Sequence, residues 1–375
     1  MLDCSFFYKQ LQAQGIQFFT GIPDSLLRDI CAYITDHVPE GRHIIAANEG
    51  GAIGLAIGHY LATGQPGLVY MQNSGQGNAV NPLMSLADND VYGIPMVLMI
   101  GWRGEPGHKD EPQHVKQGKI TLHLLDTMGI PYAVLPEQET AAAAVLAEMM
   151  SLSEFRKQPV AVVVKNGTFA PYKLKYSPQN LYTLSREEAI GCVVEALPAD
   201  AVVVSTTGKT SRELYEYRDR IKAGHAKDFL TVGGMGHALQ IALGISLAKK
   251  NRDVYCLDGD GAALMHLGGL SIAAHWGTEN FRHIILNNGV HDSVGGQPTL
   301  GFQVDFCGIA KAMGYKKTFM AVSREELNAV MAVFMKEHGP VFLELRISAG
   351  AREDLGRPKT TPAQNKADFM EFLRD

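Results

Sequence analysis

Several features are scarce or missing in this sequence, and each absence argues against a class of protein. The longest apolar runs, such as 94–100 and 160–164, fall far short of the roughly 20 residues that a membrane-spanning helix needs. The N-terminus has no basic region followed by an apolar stretch, so we predict no secretory signal. Lys and Arg (34) do not outnumber Asp and Glu (39), and the net charge of −5 argues against a nucleic-acid-binding protein.

Cysteine is also sparse, and the sequence has no CxxC pair. The five cysteines are odd in number and scattered along the chain, at Cys4, Cys31, Cys192, Cys256 and Cys307. This pattern predicts neither a disulfide framework nor a zinc site. We expect free thiols in a reducing cytoplasm.

What the sequence does contain is enough apolar material for two α/β domains. The chain has 375 residues, 46% of them hydrophobic and 19% charged, which is typical of a folded protein. Short apolar strands alternate with helical stretches in both halves, which predicts two parallel sheets that are covered on both faces. We predict strands at 17–19, 68–71, 96–100, 132–135 and 160–164, and then at 201–205, 254–257, 283–286 and 341–347.

Helices are expected between these strands. In the first half we predict them at 25–37, 50–62 and 140–150, and in the second at 186–197, 238–249, 262–275 and 324–336. Two of them begin with a capping box, Ser185 with Glu188 and Ser323 with Glu326. The stretch 168–184 is rich in Pro, Tyr and Lys and shows no periodicity, so we interpret it as a linker between a first domain (1–167) and a second (185–375).

The most specific motif lies in the second half. Gly259-Asp260-Gly261 follows one predicted strand, and after 25 intervening residues Asn287-Asn288-Gly289 follows the next. A right-handed crossover brings the carboxyl ends of two such strands to one edge of the sheet. Asp260 and Asn288 there offer the oxygen ligands that Mg²⁺ prefers, and the glycines let a diphosphate approach the backbone.

This motif resembles the magnesium and diphosphate motif of thiamine-diphosphate-dependent enzymes. The resemblance implies that Asp260, Asn288 and the carbonyl of Val290 bind Mg²⁺, and that Gly261 and Ala262 offer N–H groups to the diphosphate. It further implies that Met235 props the cofactor into a bent shape, within a segment that includes Gly234 and His237. Gly208, Lys209 and Thr210 are expected to contact the diphosphate.

A competing interpretation is a dinucleotide-binding fold that transfers hydride. The sequence has no GxGxxG, because Gly259 and Gly261 are followed by AAL, and Gly234 and Gly236 by HAL. The hydride-transfer hypothesis therefore loses its main support. A regulatory subunit that binds thiamine without catalysis is also disfavoured, because it would be expected to lack Glu49 or Asp260.

Glu49 is the predicted activating carboxylate. It stands at the start of a helix made of small, apolar residues, in the stretch AANEGGA. The resemblance implies that Glu49 hydrogen-bonds N1′ of the cofactor's aminopyrimidine, in a pyrimidine-binding domain that faces the diphosphate-binding domain of another subunit. The chain is therefore expected to form at least a homodimer with sites at the subunit interface. No room remains for a third, central domain.

Four further stretches narrow the resemblance to the phosphonopyruvate decarboxylases. They read TGIPDSLL at 20–27, YMQNSGQGNAVNP at 70–82, GWRGEPG at 101–107 and DEPQH at 110–114. The implied reaction is the decarboxylation of 3-phosphonopyruvate to phosphonoacetaldehyde and CO₂ in phosphonate biosynthesis of the 2-aminoethylphosphonate type. The alternative is a sulfopyruvate decarboxylase, since that family shares the first stretch, or another thiamine-diphosphate-dependent 2-keto acid decarboxylase.

The substrate's carboxylate and phosphonate require cationic and amide donors. Within a predicted loop at 103–119, Arg103 and Lys109 are the candidate cations. The resemblance implies proton-transfer roles for Asp24 and His114. The other candidate substrate residues are polar ones that follow predicted strands, namely Ser25, Asn73, Ser74 and Gln76.

Overall fold

The computed structural model describes residues 1–176 and 181–374, which fall into two compact units. The first unit comprises 1–176 with the short segment 294–297, and the second comprises 181–293 with 298–374. The predicted linker, 168–184, includes residues 177–180, which lie outside the described residues. The domain limits therefore stay a prediction.

The first unit is built on six parallel strands in the order β2-β1-β3-β4-β6-β5. The strands are β1 (Phe19–Gly21), β2 (His43–Ile45), β3 (Gly67–Gln72), β4 (Met96–Gly101), β5 (Tyr132–Val134) and β6 (Pro159–Val164). The helices are α1 (Cys4–Ala13), α2 (Arg28–His37), α3 (Glu49–Thr63), α4 (Gln76–Pro82), α5 (Pro112–Thr127) and α6 (Glu139–Arg156). A 3-10 turn at Asn73–Gly75 precedes α4, and a π-helical stretch at Leu83–Ala87 follows it.

Burial explains the continuous apolar strands of this unit. Every residue of β4 and β6 is buried, and the two strands pair in parallel from Met96 opposite Pro159. A strand covered on both faces has no polar side, so its sequence does not alternate. One core cluster joins the sheet to α1, α2 and α6, in which Phe7, Ile30 and Leu146 are fully buried.

The second unit repeats the architecture, with strand order β11-β12-β10-β9-β7-β8. Its strands are β7 (Val202–Ser205), β8 (Asp228–Leu230), β9 (Val254–Gly259), β10 (Phe281–Asn287), β11 (Lys317–Ala321) and β12 (Val341–Arg346). Its helices are α7 (Arg186–Ala196), α8 (Lys209–Arg220), α9 (Ala238–Ala248), α10 (Asp260–Met265), α11 (Gly269–Trp276), α12 (Phe306–Met313), α13 (Arg324–Phe334) and α14 (Pro362–Phe372). Apolar clusters cover both faces of this sheet as well.

The predicted fold class is confirmed: the described residues form two α/β units, each with a six-stranded parallel sheet, and no third domain. Both predicted capping boxes stand at helix starts, where the hydroxyls of Ser185 and Ser323 accept from the N–H groups of Glu188 and Glu326. The reciprocal bond forms at the first, from the N–H of Ser185 to Glu188, whereas Glu326 accepts instead from the N–H of Val322. No helix among the described residues is long and apolar enough to cross a bilayer.

Two element predictions were wrong. The stretch 262–275 is not one helix, because α10 ends at Met265 and α11 begins at Gly269, the second of two adjacent glycines, which weaken a helix. The stretch 103–119 is not all loop, because α5 begins at Pro112. Proline suits the first turn of a helix, where its missing N–H costs nothing.

Candidate active site

In the second unit, Asp260 and Asn288 meet at the carboxyl ends of two neighbouring strands. β9 and β10 pair in parallel, with Leu286 opposite Gly259. Asp260 begins α10 directly after β9, and Asn288 directly follows β10. The backbone N–H of Asn288 hydrogen-bonds the carboxylate of Asp260. The structure thus brings together the two residues that the spacing of the motif relates.

Asp260 is a buried carboxylate without a cationic partner among the ion pairs of the described residues. Burial raises its pKa to about 6, against hydrogen bonds from the hydroxyl of Thr299 and from backbone N–H groups, which lower it. Keeping such a carboxylate ionised costs free energy unless a positive charge lies beside it. A cation bound beside Asp260 would therefore stabilise its ionised carboxylate.

The side-chain amide of Asn288 is oriented by Asp292. Nδ2 of Asn288 donates to Oδ2 of Asp292 over 3.1 Å, and Oδ1 accepts from the N–H of Val290 over 3.2 Å. Asp292 is itself anchored, because Nη1 of Arg186 donates to it over 3.0 Å and Nζ of Lys209 lies 3.8 Å away. These contacts therefore determine the orientation of the Asn288 amide, with its nitrogen toward Asp292.

These residues fit Mg²⁺ as a ligand set. The carboxylate of Asp260, the amide oxygen of Asn288 and the backbone carbonyl of Val290 are all hard oxygen donors, which Mg²⁺ prefers.

A different group of possible metal ligands lies inside the sheet, where the ligand atoms of Cys256, Asp258 and His283 are within 4.8 Å of one another. Burial raises the pKa of the Cys256 thiol well above its ordinary value, which disfavours the thiolate that a metal requires. We assign no metal to that group.

The predicted diphosphate contacts lie near this edge of the second sheet. Gly208 has φ +94° and precedes Lys209, the first residue of α8, while Thr210 is buried in its first turn. A Cβ added at Gly261 would lie 3.3 Å from the methyl carbon of Met235, so Met235 packs directly beside the GDG turn. Ala262 is buried in α10. His237 is exposed, and its Nδ1 lies 3.0 Å from the carbonyl of Gly234.

In the first unit, Glu49 is a buried acid at the first position of α3. Asn48 caps this helix by accepting from the N–H of Gly51 over 2.8 Å. Oε2 of Glu49 accepts from Nδ2 of Asn78 over 2.8 Å. A Cβ added at Gly75 would collide with the Glu49 carboxyl group, so only glycine fits at that position. The small residues around Glu49 therefore leave the space that its carboxyl group occupies.

Asp24 lies fully buried after β1, close to the end of β4. Gln72 donates to its Oδ1 over 2.6 Å, and the N–H of Leu26 donates to its Oδ2 over 3.0 Å. Burial raises the pKa of Asp24 against these hydrogen bonds and the nearby charge of Arg103. A Cβ at Gly101 would collide with Oδ2, which shows how closely Asp24 approaches the end of β4.

Arg103 and His114 are brought together by Asp110. Nε of Arg103 donates to Oδ2 of Asp110 over 2.8 Å, Nη2 donates to Oδ1, and Nη1 donates to Oγ of Ser25 over 2.7 Å. Nδ1 of His114, in the first turn of α5, lies 3.0 Å from Oδ1 of Asp110. Among residues 1–176 and 181–374, these bonds use three of the five N–H groups of the guanidinium, so two remain to be offered to a ligand.

The remaining predicted substrate residues differ in what they contact. Asn73 is buried and donates to the carbonyl of Arg103 and to Oγ1 of Thr121, each over 2.8 Å, so its amide supports the loop. Gln76 is buried and faces the carbonyl of Thr121 at 3.5 Å. Ser74 is exposed and donates to Gln72, whereas Lys109 is exposed on the loop before α5.

Four residues of this arrangement were missed from the sequence: Asn78, Asp110, Asp292 and Thr299. Asp110 stands four residues before His114, a spacing that would have been informative had α5 been recognised. Asn78 is in α4, whose short polar sequence gave no helical signal. Asp292 and Thr299 follow β10 in an irregular stretch, where sequence spacing does not reveal contacts.

Comparison with known proteins decides the family. The "Thiamine pyrophosphate enzyme, N-terminal TPP binding domain" family matches residues 5–130, and its C-terminal TPP-binding counterpart matches 206–345. Phosphonopyruvate decarboxylase of Streptomyces viridochromogenes is 35% identical over 97% of this chain and 93% of that protein. The chain belongs to the phosphonopyruvate decarboxylase family of thiamine pyrophosphate enzymes.

Other members of this group are also similar. Phosphonopyruvate decarboxylase of Streptomyces hygroscopicus is 35% identical over 100% of this chain and 95% of that protein. Sulfopyruvate decarboxylase of Methanosarcina acetivorans is 26% identical over 97% of this chain and 95% of that protein. The predicted family is thus confirmed, and the two TPP-binding domains confirm thiamine diphosphate as the predicted cofactor.

Proposed function

We propose that this phosphonopyruvate decarboxylase family member converts 3-phosphonopyruvate to phosphonoacetaldehyde and CO₂, with thiamine diphosphate and Mg²⁺, in phosphonate biosynthesis of the 2-aminoethylphosphonate type. The observation that carries the proposal is the group formed by Arg103, Asp110 and His114. It combines an anchored guanidinium, which suits a tetrahedral oxyanion, with an imidazole that can move a proton.

The reaction breaks the bond between the carboxyl and keto carbons and places a proton on the former keto carbon. Bound thiamine diphosphate would supply an electron sink for the pair that CO₂ leaves behind. The chain's residues bind the substrate, orient it and hold the proton. Phosphonopyruvate and one proton give the aldehyde and CO₂, so no oxidant or reductant is required.

In the second unit, Asp260, Asn288 and Val290 would hold Mg²⁺ through oxygen atoms. Gly208, Lys209, Thr210, Gly261 and Ala262 would receive the diphosphate. Lys209 adds a positive charge, and the N-terminus of α8 favours an anion. Met235, with Gly234 and His237 beside it, would support the cofactor's central part.

In the first unit, Glu49 would face the aminopyrimidine ring. Its buried position supports this role, because a dry carboxylate exchanges a proton with a ring nitrogen more readily than a solvated one. Asp24 and His114 are the proposed proton-transfer groups. Arg103, together with Ser25, is the proposed site for the phosphonate, while Lys109 is a second cation at the loop.

The alternative is decarboxylation of sulfopyruvate. The protein named for that activity in Methanosarcina acetivorans matches nearly the whole chain, although at 26% identity rather than 35%. Sulfonate and phosphonate differ mainly in charge, so the same cations would bind either group. The preference for phosphonopyruvate rests on the higher identity.

We further propose a homo-oligomer, at least a dimer, in a reducing cytoplasm. Separate α and β subunits named for sulfopyruvate decarboxylase in methanogens match 42% and 44% of this chain, so parts of this chain have counterparts elsewhere in proteins named as subunits. Light scattering on the purified protein tests the assembly, and a fully active monomer would contradict it. The proposed compartment rests on the odd number and scattered positions of the five cysteines.

Competition between substrates tests the proposed function. The purified protein, supplied with thiamine diphosphate and Mg²⁺, is assayed for CO₂ release from phosphonopyruvate, sulfopyruvate and pyruvate. We expect the highest kcat/KM for phosphonopyruvate. A higher value for sulfopyruvate would establish the alternative, and release from pyruvate alone would contradict both.

A further inference from the structure

The carboxylate of Asp110 contacts both residues that the proposed function places at the substrate. Its Oδ2 accepts from Nε of Arg103 over 2.8 Å and from the N–H of Gly104 over 2.7 Å. Its Oδ1 accepts from Nη2 of Arg103 and lies 3.0 Å from Nδ1 of His114. A guanidinium held through two parallel hydrogen bonds has one orientation, and an imidazole held at Nδ1 has one as well.

We propose that Asp110 is a positioning residue, which fixes the guanidinium of Arg103 and leaves a lone pair on Nε2 of His114, which can take up a proton from solvent and pass it to the former keto carbon. This inference rests on the proposed function for the roles of Arg103 and His114. It concerns Asp110 itself, which acts through the two others without touching the substrate.

The charge of Asp110 determines which nitrogen of His114 carries the hydrogen. Burial acts to raise the pKa of Asp110, but hydrogen bonds from Arg103, His114 and Gly104 together hold it below its ordinary value. An ionised carboxylate only accepts hydrogen bonds. The hydrogen of a neutral His114 therefore belongs on Nδ1, and Nε2 keeps its lone pair.

The surroundings of His114 favour its neutral form. Burial lowers its pKa, the hydrogen bond with Asp110 raises it, and the charge of Arg103 lowers it while that of Asp24 raises it. The net shift is downward from 6.5. The side chain keeps 11% of its surface exposed, so the ring is not sealed inside the unit.

The backbone holds Asp110 against α5. Gly104 has φ +69°, and a Cβ there would collide with the carbonyl oxygen of His114. A Cβ at Gly118 would likewise collide with the carbonyl of Gly104. The loop before α5 therefore lies directly on the helix, so that Asp110 reaches Arg103 and His114 simultaneously.

The test measures the hydrogen position on His114 and the kinetics together. The full chain is produced with ¹⁵N-labelled histidine and supplied with thiamine diphosphate and Mg²⁺. In its NMR spectrum, the His114 signals are identified as those that are absent from the spectrum of His114→Gln. We expect the hydrogen on Nδ1 in the wild type. In Asp110→Asn the hydrogen should move to Nε2, because the new amide can donate to Nδ1, and kcat/KM for phosphonopyruvate should fall about 100-fold.

Glu105→Gln is the matched control. Glu105 lies in the same loop with nearly the same side-chain exposure, 16% against 15% for Asp110, but it pairs with Lys165 rather than with Arg103 or His114. We expect this variant to keep the hydrogen on Nδ1 and to change kcat/KM by less than about twofold.

A hydrogen on Nε2 in the wild type would overturn the proposal, and this result needs no variant that might fail to fold. An Asp110→Asn enzyme with an unmoved hydrogen would also overturn it, whatever its activity, and so would a moved hydrogen with unchanged kcat/KM. If the wild type releases no CO₂ from phosphonopyruvate, the proposed function fails, whereas the hydrogen position still decides whether Asp110 positions His114.

Discussion

The side-chain amide of Asn78 donates a 2.8 Å hydrogen bond to Oε2 of Glu49. Asn78 belongs to α4 and Glu49 begins α3, so this contact ties the carboxylate to a second helix. Gly50 lets the two helices approach, since a Cβ there would lie 3.1 Å from the carbonyl oxygen of Asn78. The orientation of Glu49 is thus determined by packing before any cofactor binds.

Glu49→Gln should retain thiamine diphosphate and lose most of its turnover. An amide still hydrogen-bonds a ring nitrogen, but it cannot share a proton with it, so we expect kcat to fall at least about 100-fold. Calorimetry should show cofactor affinity within about threefold of the wild type. Glu139→Gln is the control, because Glu139 also begins a helix, α6, but is exposed. Near-normal turnover in Glu49→Gln would remove this residue from the mechanism.

Asp260→Asn should stabilise the cofactor-free protein at neutral pH. The raised pKa of Asp260, about 6 against an ordinary 3.8, means that the folded state holds a proton that the unfolded state releases. The resulting stability is present below about pH 4 and is lost as the pH rises through about 6, by up to about 3 kcal/mol. Denaturant unfolding of both proteins between pH 4 and 7 measures this difference.

The same Asp260→Asn variant should bind thiamine diphosphate poorly in the presence of Mg²⁺. Thiamine diphosphate and Mg²⁺ together should raise the free energy of unfolding of the wild type at pH 7, and they should raise that of the variant much less. A stability difference between the two cofactor-free proteins that is independent of pH would contradict the assigned burial cost. Undiminished Mg²⁺-dependent cofactor binding would contradict the ligand assignment.

Asp292→Asn should weaken Mg²⁺ binding, although Asp292 is not one of the proposed ligands. Asp292 accepts from Nδ2 of Asn288, and so it turns the amide oxygen of Asn288 away from itself. An asparagine at 292 would allow the amide of Asn288 to flip. Loss of such an outer contact typically costs 10- to 100-fold in metal affinity, and we expect a loss in about that range.

Titration of Mg²⁺ at saturating thiamine diphosphate measures this affinity. Asp253→Asn is the control, since Asp253 in the same unit pairs with Arg282 over 2.7 Å and has no contact with Asn288. Unchanged Mg²⁺ affinity in Asp292→Asn would show that the contact does not orient the ligand.

Arg103→Ala should reduce kcat/KM for phosphonopyruvate about 10- to 100-fold more than for pyruvate. The phosphonate loses a charged donor, whereas pyruvate has no group at that place. The ratio of kcat/KM for phosphonopyruvate to kcat/KM for pyruvate therefore falls. Lys116→Ala is the control, because Lys116 is an exposed cation of α5. Equal losses for both substrates would assign Arg103 to the shared carboxylate or to the structure of the loop.

The sequence predicted the central strands and the edge strand β5, but it did not predict the other three edge strands, β2, β8 and β11. Strands such as β4 and β6 are buried on both faces, so their continuous apolar runs are visible in the sequence. β2 and β8 have three residues each, and β11 is partly exposed, so none of them carries a pattern that sequence reasoning could recognise. Pairing with a neighbouring strand, rather than local preference, makes them strands.

The site could be predicted where the chemistry lies within one motif. Asp260 and Asn288 follow adjacent strands of one crossover, so their meeting follows from topology. Asp110 and Asp292 could not be found in this way, because their roles depend on which side chains they contact in the folded chain. For the same reason, the anchoring of Arg103 by Asp110 was not foreseen.

The most direct test of the account is the product balance of the purified protein with phosphonopyruvate. The protein is first stripped of metal and cofactor with a chelator, and CO₂ and phosphonoacetaldehyde are then quantified with thiamine diphosphate, with Mg²⁺, with both and with neither. We expect equal amounts of the two products, formed rapidly only when both are present. CO₂ release that does not require thiamine diphosphate, or no release under any of the four conditions, would contradict the account.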